Sequence, residues 1–240
     1  NFYYGNISKK LVRKKKSLPL NGNSQISFDQ IELISRKSKK VISINKLKTL
    51  SESLKEKINN DLKIITSKKK NFANFNFLEL PNIMGILNIT PDSFSDGGKF
   101  SIKSKAISHA IQMFRSGANI VDVGGESTRP GSKEINAKLE WKRINEVLKS
   151  ISKKIPISLD TRKSEIMEKG IKLGVKVIND VSGLNYDPKT KDLLKKYKIP
   201  FIIQHSQGTP ENMQNNPYYK NELLDIYDFF EKKIKFLRSI

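Results

Sequence analysis

The chain has 240 residues, with 45 basic against 24 acidic side chains for a formal charge of +21, 37% hydrophobic residues and no cysteine. The missing cysteine excludes disulfide frameworks, thiolate zinc sites and a cysteine nucleophile, and fits a reducing compartment, so the cytoplasm is the expected location. No run approaches the roughly 18–20 uninterrupted apolar residues of a membrane-spanning helix, and the first ten residues lack the apolar core of a secretory signal.

Residues 1–80 carry 18 basic and 6 acidic side chains, a balance that raises nucleic acid or an anionic surface as a partner. The lysines sit among many Asn, Ile and Ser residues, however, a mixture that AT-rich coding produces without selection for binding. Charge runs of this kind are usually solvated faces, so neither nucleic acid nor membrane is the expected partner. Short apolar runs at 31–34 and 41–44 alternate with lysine-rich stretches. Leu47, Leu50, Leu54 and Ile58 recur at three- to four-residue intervals and predict an amphipathic helix within 44–65. Gly22 and its polar neighbours read as loop. The segment stands as a basic N-terminal extension without a functional signal.

After Pro81 the texture changes to short β-branched runs, each followed by a helical pattern. The runs are 83–89, 120–124, 157–160, 175–180 and 201–205, and the helical patterns are 102–117, 136–152, 163–174, 188–197 and 219 onward. Two of these helices stop at a glycine, Gly117 and Gly174, as C-terminal caps do. This alternation means parallel strands joined by right-handed crossovers, either an open doubly wound sheet or a closed (β/α)8 barrel. Five units fill the visible chain, and a TIM barrel needs eight, about 250 residues in all. The fold expected for 81–240 is therefore a TIM barrel truncated after about five βα units. The opening at Asn1 rather than Met leads us to expect a missing N-terminal piece, and the three absent units lead us to expect further sequence after Ile240.

Ligands bind at the carboxyl ends of parallel strands. Those ends carry Asn88, Asp122 followed by Gly124 and Gly125, Asp160, Asn179 with Asp180, and Gln204 with His205. The loop from Asn88 to Gly98 is polar and ends in a glycine pair, and the loop from Gly124 to Gly131 adds Arg129, which can grip an anion bidentately. Blander roles stand beside these. The glycine pair also suits an ordinary turn, Asp122 also suits a bridge between strands, and Asp180 also suits a helix N-terminus. His205 suits a buried imidazole as well as a ligand contact. His109 reads as a surface residue and Trp141 as packing between a helix and the barrel wall.

Five segments together resemble dihydropteroate synthase. They are Met84-Gly-Ile-Leu-Asn-Ile-Thr-Pro-Asp-Ser-Phe-Ser-Asp-Gly-Gly98, Ile120-Val-Asp-Val-Gly-Gly-Glu-Ser-Thr-Arg-Pro-Gly131, Ile157-Ser-Leu-Asp-Thr161, Val177-Ile-Asn-Asp-Val181 and His205-Ser-Gln-Gly208. The resemblance runs from about Asn82 to the last residue. It implies condensation of 6-hydroxymethyl-7,8-dihydropterin diphosphate with p-aminobenzoate, giving dihydropteroate and diphosphate for folate synthesis. It implies pterin contacts from Asp160, Asn179 and Asp180, and contacts to diphosphate and p-aminobenzoate from Thr128, Arg129, Pro130, Asp92, Ser93 and Phe94. Asn88 is implied as a ligand of Mg²⁺, a hard cation that takes oxygen donors. Asp122, Gln204 and His205 are further expected site residues. Sulfonamides are implied as competitors and a homodimer as the assembly.

The family's later segments, an Asp-Pro-Gly-rich stretch, a lysine and an Arg-x-His pair, do not occur in this sequence, so the piece alone is expected to lack full activity. Gln204 stands where the family commonly has Met. The alternatives are a barrel of the kind that transfers a methyl group from a folate, and a truncated, non-catalytic pterin binder.

Overall fold

The structure, a computed structural model, describes residues 1–73, 75–76, 81–90 and 99–240, the first four of the last stretch by backbone alone. It divides into two compact units, Asn1–Asn71 and Phe72–Ile240, a break that falls before the expected boundary at residue 80.

The first unit runs β1 (Phe2–Tyr4), α1 (Gly5–Arg13), β2 (Leu18–Leu20), β3 (Asn23–Phe28), β4 (Gln30–Ile34), β5 (Lys39–Ser43), a 3-10 turn (Ile44–Thr49) and α2 (Glu52–Thr66). β3 is the centre of an antiparallel sheet ordered β1-β3-β2, and β4 and β5 form a separate hairpin. The Gly22 loop is a two-residue turn in which Asn21 and Gly22 take φ of 50° and 73°. That mirror-image turn matches the twist of the strands it joins. The helix expected within 44–65 comes in two pieces, because Leu50 is extended (φ −85°, ψ 160°). Leu47 and Leu50 have the three-residue spacing of a 3-10 turn, whereas Leu54 and Ile58 have the four-residue spacing of an α-helix face.

The second unit contains β6 (Met84–Asn88), α3 (Lys99–Arg115), β7 (Ile120–Gly124), α4 (Ala137–Ile151), β8 (Ile157–Asp160), α5 (Ser164–Leu173), β9 (Val177–Asp180), α6 (Thr190–Tyr197), β10 (Phe201–Ile203) and α7 (Glu222–Arg238). Its strands are all parallel and lie in chain order, β6 to β10. A doubly wound sheet reverses its strand order at a switch point. This one never reverses, so right-handed crossovers carry successive helices around one side, and these are five consecutive βα units of a (β/α)8 barrel. α3 packs on α4, α4 on α5 and α5 on α6, in the same order. Gly174 caps α5 in the left-handed conformation, φ 94°, as its position after Leu173 predicts.

Alternation along the strands then divides their two faces. Leu87, Val123, Leu159 and Ile178 lie level with one another and pack with Ile144, Leu148, Ile166 and Met167 of the helices. On the other face, one level holds Ile86, Asp122, Ser158 and Val177, and the level at the carboxyl end holds Asn88, Gly124, Asp160 and Asn179. Trp141 packs on the core and His109 is exposed, both as expected.

Candidate active site

The site grows from that last level of side chains. Gly124 sits between Asn88 and Asp160. A Cβ placed on it would lie 3.3 Å from Asp160 Oδ2 and 3.4 Å from Asn88 Oδ1, so glycine is what lets the two side chains approach from either side. Asn179 Nδ2 donates to Asp122 Oδ2 at 2.9 Å, which orients the amide and ties the two levels together. Burial raises the Asp122 carboxyl above its usual range, against the lowering influence of Ser158 and Asn179. Asp160 is raised well above that range, by burial first and then by the negative charges of Asp122, Glu140, Asp180 and Glu126.

Asp122 Oδ1 and Asp160 Oδ1 are both buried without a hydrogen-bond partner from the chain. A buried acceptor left unpaired costs about 1–3 kcal/mol. Two of them on one face suit a flat, N–H-rich ring that would satisfy both.

Asp180 is not part of this face. It follows Asn179 in the strand, so alternation turns it toward the helices. There its Oδ1 accepts from the Ser182 backbone N–H (2.8 Å) and its Oδ2 from the Leu184 N–H (2.9 Å). Its observed role is to hold the loop after β9.

The other expected residues are spread over the neighbouring loops. Thr128 and Gln204 line a pocket of about 140 Å³ with Arg162, Ser182, Tyr186 and Met213. Arg129 and Pro130 are exposed beside it. His205 packs edge-on against Phe229, with ring centroids 4.9 Å apart, and lies near Tyr219 and Phe230. Asp92, Ser93 and Phe94 lie outside the described residues.

Sequence reasoning missed a buried ionic cluster directly behind this face. Arg162 donates through Nε to Glu126 Oε2 (3.0 Å) and through Nη2 to Glu126 Oε1 (3.1 Å). Lys163 Nζ bridges Glu126 Oε2 and Glu140 Oε2, at 2.8 Å each. Burial pushes the Glu126 carboxyl up, but hydrogen bonds from Arg162 and Lys163 outweigh it and hold the group below its usual range. The available signal was a pair of cations immediately after a strand end, facing an acid in the preceding loop.

Gly125 brings α4 against this cluster. A Cβ there would lie 2.8 Å from Ile144 Cγ2 and 3.0 Å from the Glu140 carbonyl oxygen. Gly125→Ala is therefore expected to destabilise the fold by about 1–3 kcal/mol, read as a lower urea midpoint with an unchanged slope.

Among the described residues no helix is long and apolar enough to cross a membrane. Residues 84–240 match the pterin binding enzyme family. A dihydropteroate synthase of Neisseria meningitidis serogroup C is 42% identical over 159 residues, which are 65% of this chain and 56% of that protein. Among solved structures, the dihydropteroate synthase of Clostridium difficile, determined in the presence of pteroic acid, superposes with a TM-score of 0.62 at 39% identity, covering 71% of this chain and 62% of that one. The Xanthomonas albilineans enzyme with 4-aminobenzoic acid gives 0.61 at 32% identity, over 68% and 57%. The chain thus spans less than two thirds of the length of each.

Proposed function

The chain belongs to the pterin binding enzyme family, and from that premise we propose that the whole protein is a dihydropteroate synthase. It would join 6-hydroxymethyl-7,8-dihydropterin diphosphate to p-aminobenzoate and release diphosphate, a transferase step of folate synthesis in the cytoplasm. The observation that carries this reading is the pair of unpartnered carboxylate oxygens, Asp122 Oδ1 and Asp160 Oδ1, on the strand face that also presents Asn179. A reduced pterin offers adjacent ring N–H donors to a carboxylate and both donor and acceptor edges to an amide. In this reading Asp160 accepts from the ring and Asn179, held by Asp122, fixes its orientation.

The reaction breaks a C–O bond to diphosphate, so negative charge builds on the leaving group and cationic or dipolar groups must meet it. In this reading Thr128 and Arg129 meet that charge, and the p-aminobenzoate ring lies near Pro130. For Mg²⁺, the donor chemistry fits a loosely held ion. Asn88 offers one hard oxygen beside Asp160, and no group of three His, Asp or Glu side chains among the described residues could hold a metal. Mg²⁺ is commonly held by one or two protein oxygens together with substrate phosphates and water. Asn88 would hold the ion, which when bound neutralises charge on the departing diphosphate. Sulfonamides would compete with p-aminobenzoate, and a homodimer is the expected assembly.

The test is turnover by the full-length protein supplied with the pterin diphosphate, p-aminobenzoate and Mg²⁺. Equimolar dihydropteroate and diphosphate are the expected products. Pterin binding without any product would favour a non-catalytic binder, and the absence of both would reject the reading.

A further inference from the structure

We propose that Arg162 is a positioning residue that latches the 127–135 loop in place for the second substrate, an inference that rests on the reading above. The loop leaves β7 after Gly124 and re-enters the fold at Asn136, the cap of α4. Its base is closed by the Ile135 backbone N–H, which donates to Glu126 Oε1 at 3.0 Å. Arg162 grips both oxygens of that same carboxylate, so the guanidinium fixes the plane of the group that closes the loop.

The C-terminal end of the loop, one residue before Ile135, is tied to the same cation. Arg162 Nη2 lies 3.4 Å from Glu134 Oε2, and the Tyr186 hydroxyl donates to Glu134. The Tyr186 ring, from the loop after β9, stacks under Arg162 with its centroid 4.2 Å from the guanidinium carbon. One buried side chain therefore joins the loops after β7, β8 and β9. Thr128 and Arg162 also line the same pocket.

Lys163 does not duplicate this role. Its ammonium is a point charge shared between Glu126 and Glu140, which compensates Glu126 without holding both its oxygens in a plane. For the same reason, removing Arg162 leaves Glu126 paired, so the fold is expected to survive while the loop loosens. A loop held at both ends presents its ligand-facing residues preorganised, and loosening it costs affinity rather than chemistry.

The test uses the full-length protein and its Arg162→Met, Arg162→Lys and Tyr186→Phe variants. Amide hydrogen exchange follows residues 127–135, while p-aminobenzoate is titrated onto protein saturated with 6-hydroxymethylpterin and inorganic diphosphate. In Arg162→Met, exchange in 127–135 is expected to rise about ten-fold or more, with α5 and α6 unchanged. The affinity for p-aminobenzoate is expected to fall about ten-fold, with pterin affinity held within about two-fold. Arg162→Lys should recover part of the loss, and Tyr186→Phe should fall between.

Unchanged exchange in 127–135, or a loosened loop with unchanged p-aminobenzoate affinity, would overturn the proposal. If wild-type protein binds neither molecule, the functional reading fails, and the exchange data still decide whether Arg162 is the latch. Should Arg162→Met fail to fold, Tyr186→Phe and Glu134→Gln carry the same comparison, since each removes a tie at the exposed end of the cluster.

Discussion

Asp160→Asn is expected to abolish measurable pterin binding and, at the same time, to make the protein more stable. The two effects have one cause. Asp160 is surrounded by the negative charges of Asp122, Glu140, Asp180 and Glu126, and its Oδ1 is buried without a partner. Its proton affinity in the fold is therefore well above that of an exposed aspartate, which titrates near roughly 3.9. The sign follows from linkage. A carboxyl whose folded pKa is raised favours the fold fully below the unfolded pKa, and that contribution is lost as pH rises through the folded pKa.

At neutral pH the group thus works against folding, and the neutral, isosteric amide removes the cost. A gain on the order of 1–2 kcal/mol is expected at pH 7, shrinking toward zero below roughly pH 4. Binding moves the other way. An amide cannot accept from two adjacent N–H groups as a carboxylate does, so affinity for 6-hydroxymethylpterin should fall by about 100-fold or more. Calorimetric titration and urea unfolding on the same two proteins check both halves. A variant that binds as tightly as wild type would remove Asp160 from the site, and one that is less stable would refute the account of its charge.

How much of this was legible in the sequence differs by element. The five βα units read clearly because local signals agree: β-branched runs of strand length, then amphipathic stretches closed by Gly117 and Gly174. Strand-end residues followed from the architecture, since Asn88, Asp160 and Asn179 needed only the rule that parallel strands present ligands at their carboxyl ends. Asp180 shows where that rule stops. Two polar residues end β9, and only the pleat decides which of them faces the ligand side.

The ionic cluster left only a local signal, the cation pair Arg162 and Lys163 after β8, which does not say which acids they meet. Glu126 and Arg162 are 36 residues apart, and their meeting depends on the register of β7 against β8, in which a slip of one residue would exchange the two faces. In the first unit, the β4–β5 hairpin joins runs that lack clean alternation, so pairing rather than periodicity defines them.

The largest loss of stability is expected from Lys163→Met. Lys163 is buried and lies 2.8 Å from both Glu126 and Glu140. Glu126 retains Arg162 after the substitution. Glu140 does not fare as well, because it is fully buried, its Oε2 loses its cation, and its Oε1 already lacks a partner. Breaking a buried pair from one side leaves an uncompensated charge and costs about 3–5 kcal/mol, a large share of the 5–15 kcal/mol typical of a folded domain.

Removing both partners should cost much less, because the methylene stems of Lys163 and Glu140 occupy volume that apolar side chains can fill. Lys163→Met with Glu140→Leu is accordingly expected to recover most of the loss, leaving the double variant within about 1–2 kcal/mol of wild type. Urea unfolding of the two single variants and the double variant measures the coupling directly. Additive losses in the double variant would mean that Glu140 is not held by Lys163. Full recovery would mean that the pair is dispensable for stability, its remaining effect being to compensate Glu126 at the root of the loop that carries Thr128 and Arg129.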